Sequence, residues 1–82
     1  MKRILRFTAS WCQPCKALAK QLEEIDTNMP IEVIDIDSNQ GLAMEYGIRS
    51  VPTLVMMNEN VEVKRRTGIV ATNLLQEWLK ND

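Results

Sequence analysis

Cys12 and Cys15, the two cysteines of this 82-residue chain, are the residues whose type and spacing most directly suggest chemistry. Two cysteines placed at random in a chain of this length fall three apart in about 2% of cases, so the C-x-x-C arrangement carries information. A disulfide across so few residues closes too short a loop to restrain the unfolded chain, and stapling is not its use. A structural zinc site wants four ligands, and a chain without histidine offers two thiolates unless a second copy or carboxylates help. Two thiols about one helical turn apart, roughly 5–6 Å between Cβ atoms, can cycle between dithiol and disulfide. The exposed thiol attacks a disulfide in another molecule, and its neighbour then resolves the mixed disulfide and releases a reduced product. That chemistry needs neither metal nor imidazole. The absence of histidine excludes His-based triads, His-ligated metals and imidazole bases.

Elements that position the pair follow from the pattern around it. Ile4 to Ala9 reads as a short strand ending at the turn former Ser10. From Cys12 onward, Cys15, Leu18, Ala19, Leu22 and Ile25 keep helical spacing, with Lys16, Lys20, Gln21, Glu23 and Glu24 on the other face, and Asn28-Met29-Pro30 is the expected stop. Cys12 therefore stands at a helix N-terminus, where free N–H groups and the macrodipole favour a thiolate. Pro14 falls in the first turn, where its missing N–H costs little. Lys16 adds a nearby positive charge, although a solvated lysine is the commoner reading of such a position.

Ile31 to Ile36 resumes as a strand, completing a parallel βαβ unit with a right-handed crossover. Asp37, Ser38 and Asn39 are N-cap candidates for a short helix with Leu42, Ala43 and Tyr46 on one face and Gly47 as the C′ residue. Thr53 to Met57 and Val61 to Arg65, joined by Asn58-Glu59-Asn60, read as a β-hairpin, with Arg65-Arg66 a solvated strand end. Thr72 or Asn73 caps a closing helix with Leu74, Leu75, Trp78 and Leu79 as its apolar stripe. The order is βαβαββα, an α/β four-stranded mixed sheet with three helices.

At 45% hydrophobic and 26% charged residues, with no repeat or linker, the chain reads as one domain over residues 1–82. A formal net charge of −1 disfavours nucleic acid as a partner, and no apolar run approaches the roughly 20 residues of a membrane span, so no membrane partner is expected. Met1-Lys2-Arg3 does not lead into a secretory apolar core, and a cytoplasmic location is expected.

Two segments resemble a known family. Trp11-Cys12-Gln13-Pro14-Cys15-Lys16 resembles the W-C-G-P-C-K active-site motif of thioredoxins, and Tyr46-Gly47-Ile48-Arg49-Ser50-Val51-Pro52-Thr53 resembles their Y-G-I-R-G-I-P-T segment. The element order lacks the extra N-terminal strand and helix of full-length thioredoxins, so in length the chain looks like the short glutaredoxin-like thioredoxins. The resemblance implies a thioredoxin-like fold and a redox-active Cys12–Cys15 disulfide, with Cys12 as nucleophile and Cys15 as the more buried resolving thiol. It implies a cis-proline at Pro52 opposite them, active-site support from Trp11, Gln13 and Pro14, and pairing of the Val51 backbone with an extended substrate segment. Trp11, Gln13, Thr67, Gly68 and Ile69 would rim the docking groove. Taken alone, Val51-Pro52-Thr53 reads first as a strand start, a balance that the dithiol reverses, while Trp11 reads equally as a partly buried aromatic and Gly68 as a turn glycine.

Two positions depart from the family pattern. Thioredoxins carry a buried acid six residues before the first cysteine, where this chain has Arg6, and the lysine that partners that acid is Val33 here. Water or the departing thiolate is then left to take the Cys15 proton. The resulting expectation is a protein-disulfide reductase acting as a monomer on disulfide-containing proteins, with no bound cofactor or metal. Its electrons would come from thioredoxin reductase, favoured by the motif, or from glutathione, suggested by the length. The competing readings are a partner-binding module indifferent to oxidation and a redox sensor built on the same fold.

Overall fold

Strand β1, Lys2–Thr8, alternates its side chains between two apolar layers and so sits inside the sheet. In the computed structural model, which describes residues 1–80, it is followed by α1 (Gln13–Glu24), β2 (Ile31–Asp35), α2 (Gln40–Glu45), β3 (Thr53–Asn58), β4 (Val61–Thr67) and α3 (Thr72–Lys80). The last two positions of the expected 1–82 domain lie outside the described residues. The sheet order is β2-β1-β3-β4. β1 and β2 are parallel, with Arg6 opposite Val33 and Thr8 opposite Asp35, while β3 is antiparallel to both β1 and β4. The expected α/β mixed sheet with βαβαββα order is the observed one.

Both central strands send apolar side chains to both faces. Ile4, Leu54 and Met56 pack with Leu18, Ile25, Leu75 and Leu79, the layer supplied by α1 and α3. Leu5, Phe7, Val55 and Met57 pack with Ile34 on the other face, closed by Leu42 and Tyr46 of the α2 region. Phe7 and Tyr46 hold their ring centroids 5.7 Å apart in a tilted arrangement. Among the described residues, no helix is long and apolar enough to cross a membrane.

Several element limits differ from the sequence reading for local reasons. Helix α1 stops at Glu24 and not at Pro30: Ile25 turns to extended backbone, and the Thr27 hydroxyl accepts the Met29 N–H at 3.3 Å. Ile25 still reaches the core. Asn39 occupies the α2 N-cap position without a side-chain cap, because its amide donates instead to the Asp35 carbonyl at 3.1 Å. The end of α2 is as expected. Gly47 at φ 64 donates to Met44 O at 3.0 Å, and Ile48 donates to Ala43 O at 2.9 Å, the two bonds of a Schellman motif. Thr72 is already helical, so Ala71, whose carbonyl accepts from Leu74 and Leu75, stands at the α3 N-cap in place of Thr72 or Asn73. Leu74 is half exposed and leaves the apolar stripe to Leu75, Leu79 and a half-buried Trp78, over whose ring Lys64 Nζ lies at 4.9 Å. Arg65 is more than a solvated end, since it pairs doubly with Glu62 and donates to the Tyr46 carbonyl at 2.8 Å.

Candidate active site

The end of β1 and the start of α1 bring the two cysteines together. Cys12 is the N-cap residue of α1, with extended backbone, and its Sγ accepts the N–H of Cys15 at 3.1 Å. The two form a disulfide with Cα atoms 5.3 Å apart. Gln13 and Pro14 occupy the first turn, where the proline removes no intrahelical bond. Cys12 is 4% exposed and Cys15 1%, so the sequence order of burial holds, although Cys12 is nearly enclosed as well.

Facing the pair is the segment before β3. The Val51–Pro52 peptide is cis, and the Val51 carbonyl lies 3.7 Å from Cys12 Sγ. With the disulfide formed this is a contact and not a hydrogen bond, because the sulfur carries no proton. The buried Thr53 fixes the segment from behind: its hydroxyl donates to the Ser50 carbonyl at 2.8 Å and shares a 3.3 Å hydrogen bond with the Thr67 hydroxyl. Gly68, at φ 86, donates its N–H to the Pro52 carbonyl at 2.9 Å, which brings the turn after β4 against the proline. Of the residues expected to rim a docking groove, Trp11 and Ile69 are 65% and 43% exposed, and Gln13 and Thr67 are also exposed.

Three residues with a part in this arrangement were not singled out for it in the sequence. Asp37 accepts the Trp11 indole N–H on Oδ2 at 2.9 Å, orienting the exposed ring; in sequence it looked only like a helix cap. Gln21, assigned to the solvent face of α1, donates to the Val70 carbonyl at 2.7 Å and to the Thr72 hydroxyl at 3.3 Å, tying α1 to the turn that carries Gly68 and Ile69. Asp35 lies behind Cys15, in an open cleft of about 250 Å³ lined also by Arg6, Thr8, Ser10 and Lys16. No local signal marks such long-range partners. Arg6 and Val33, the two departures from the motif, prove to be cross-strand neighbours, and burial pulls the Arg6 guanidinium below its ordinary pKa. An open hollow of about 580 Å³ lies at the opposite end of the sheet beside Lys2, Ile25 and Leu79 and is remote from the sulfurs.

Comparison with known proteins agrees with this geometry. The chain matches the Thioredoxin family model over residues 1–81. It is 40% identical over 74 residues to thioredoxin C-3 of Corynebacterium nephridii, covering 87% of this chain and 51% of that protein. It is 41% identical over 75 residues to the thioredoxin of Bacillus subtilis (strain 168), covering 87% of this chain and 72% of that protein. Among solved structures, the N21Q mutant thioredoxin from Halobacterium salinarum NRC-1 superposes with a TM-score of 0.88 at 33% identity, covering 96% of this chain and 72% of that one. The chain thus spans about half the length of the first relative and nearer three quarters of the other two.

Proposed function

The chain belongs to the thioredoxin family of thiol–disulfide oxidoreductases, and from that premise we propose that it works as a protein-disulfide reductase in which Cys12 attacks and Cys15 resolves. The carrying observation is the position of Cys12 Sγ, on the N-cap of α1 with the Cys15 N–H on it at 3.1 Å and the Val51 carbonyl 3.7 Å away. The N–H and the helix dipole both favour negative charge on that sulfur. In the reduced protein the Cys12 thiolate attacks one sulfur of a partner disulfide, forming a mixed disulfide and freeing the other partner sulfur as thiolate. Cys15 then attacks Cys12 Sγ, closes the Cys12–Cys15 disulfide and frees the second partner thiolate, so two electrons pass from the protein to its substrate.

The substrate is an extended segment of a disulfide-containing protein, aligned along the Val51–Pro52 backbone and rimmed by Trp11, Gln13, Thr67, Gly68 and Ile69. The exposure of Trp11, next to Cys12 in the chain, and of Ile69, next to the Gly68 that bonds to the Pro52 carbonyl, supports this placement. The protein acts as a monomer in a reducing cytoplasm, and thioredoxin reductase is the electron donor in preference to glutathione. The W-C-x-P-C sequence supports that donor, and α2 supplies no basic side chain for a glutathione carboxylate. The test is dithiothreitol-driven reduction of insulin by wild type and Cys12→Ser at equal concentration. Acceleration that disappears in the variant is the expected result. Full acceleration by Cys12→Ser, or none by the folded wild type, overturns the reading.

A further inference from the structure

Behind Cys15 the sheet presents a charge arrangement that the dithiol chemistry can use. Along β1 the even-numbered side chains face α1: Ile4 packs into the α1/α3 layer, and Arg6 and Thr8 follow on the same side. On β2, Val33 and Asp35 stand opposite them. Between this strip and α1 the cleft of about 250 Å³ opens, with Cys15 among its lining residues. Arg6 is half-buried in this strip and has no hydrogen-bond or ion-pair partner among the described residues. An unpaired, partly desolvated cation costs free energy unless some state of the protein supplies a counter-charge.

Groups facing Cys15 from each packed element can be compared. From β2, the Asp35 carboxylate is committed to a turn, its Oδ1 accepting the Asp37 N–H at 2.8 Å and the Ser38 N–H at 3.4 Å. From α1, Lys16 is exposed and its charge is screened by solvent. From β1, Arg6 is the charge least screened and least engaged. A guanidinium cannot take a proton, but it can stabilise an anion.

We propose that Arg6 is a positioning charge for the second half of the reaction: its guanidinium stabilises the Cys15 thiolate across this cleft, and solvent in the cleft carries the proton away. The inference rests on the reading that Cys15 resolves the mixed disulfide. In that step the Cys15 thiol gives its proton to water, and the thiolate's electron pair forms the bond to Cys12 Sγ. The bond from Cys12 to the partner sulfur breaks, and its electron pair leaves on that sulfur as thiolate. Arg6 thereby meets by charge a need that a carboxylate at the same position would meet by accepting a proton.

Reduced protein mixed with an excess of 5,5′-dithiobis(2-nitrobenzoate) reports both steps. A first release of thionitrobenzoate marks attack by Cys12, and a second marks ring closure by Cys15. In Arg6→Met and Arg6→Gln the second phase is expected to slow about tenfold at neutral pH, its pH midpoint rising by about one unit, the low end for loss of a nearby opposite charge. The rates converge with wild type at high pH, and Arg6→Lys keeps the wild-type profile. An unchanged second-phase profile in a folded Arg6→Met or Arg6→Gln overturns the inference. Slowing confined to Asp35→Asn overturns it in favour of a carboxylate base. Absence of the first phase in wild type overturns the underlying reading of Cys12, and the two failures are therefore distinct.

Discussion

Replacing Thr53 by valine tests whether the segment facing Cys12 is held by side-chain hydrogen bonds or only by packing. Thr53 is 2% exposed, so the substitution keeps shape and burial while removing one hydroxyl. That hydroxyl makes a 2.8 Å bond to the Ser50 carbonyl and a 3.3 Å bond with Thr67. The first has near-ideal length and the second is long, so about 1 and about 0.5 kcal/mol are reasonable net values within the usual range for neutral hydrogen bonds. Ser50 and Thr67 are exposed, so water can take over their lost bonds and no buried group is orphaned. The expected cost is therefore about 1.5 kcal/mol, which for a domain of this size lowers Tm by roughly 9 °C. Urea and thermal unfolding of the oxidised protein measure it, with Thr67→Val and the double variant completing a cycle. The coupling should be about 0.5 kcal/mol, because the shared bond is lost once and not twice. A Thr53→Val protein as stable as wild type would refute the reasoning and leave packing as the sole restraint.

Two further outcomes follow from particular contacts. Gly47→Ala should destabilise by about 1 kcal/mol in urea unfolding: no atom lies within 4 Å of the added Cβ, so the whole cost is that of φ 64 for an L-residue, and a neutral result would contradict it. Glu62 is held below its ordinary carboxylate pKa chiefly by its hydrogen bonds from Arg65. A depressed folded-state pKa contributes stability that is present above the ordinary value and lost as pH falls through the lowered one. Because both partners are about a third exposed, Glu62→Gln should cost only about 0.5 kcal/mol at pH 7 and nothing once both states are protonated in acid. An equal difference at both pH values would rule out the ion pair as its source.

Much of the scaffold was legible because local rules and tertiary packing agree. Ile4, Leu5 and Phe7 read as strand and are strand, and Gly47 ends its helix where its lack of a Cβ is needed. Cys12 and Cys15 declared themselves by spacing, and Pro52 by its motif. Less legible were features in which a side chain serves a distant partner. Gln21 looked like a surface residue until the turn at Val70 came against it, and Asp37 looked like a cap until Trp11 reached it. The end of α1 was misplaced because Pro30 signals only that a helix cannot continue, while the hydrogen bonds of Thr27 and the turn at Ile25 decide where it stops. Leu74 shows the limit of periodicity, since hydrophobic spacing locates a stripe but not how far the sheet beneath extends to cover it.

The sheet's two free edges differ in what they offer a neighbouring polypeptide. Along β4, Met56 pairs with Lys64 and Met57 with Glu62, so Val63 is an extra residue that bulges and twists the strand, and Lys64, Arg65 and Arg66 follow it in a row. A second copy adding itself as a fifth strand would meet a kinked ladder and a line of like charges. Along β2 the strand is only five residues long and ends at Asp35, whose carboxylate folds into the following turn. The fold thus discourages sheet extension at its flanks, where it would template aggregation, and the proposed alignment of a substrate segment at Val51 asks for backbone pairing away from both edges.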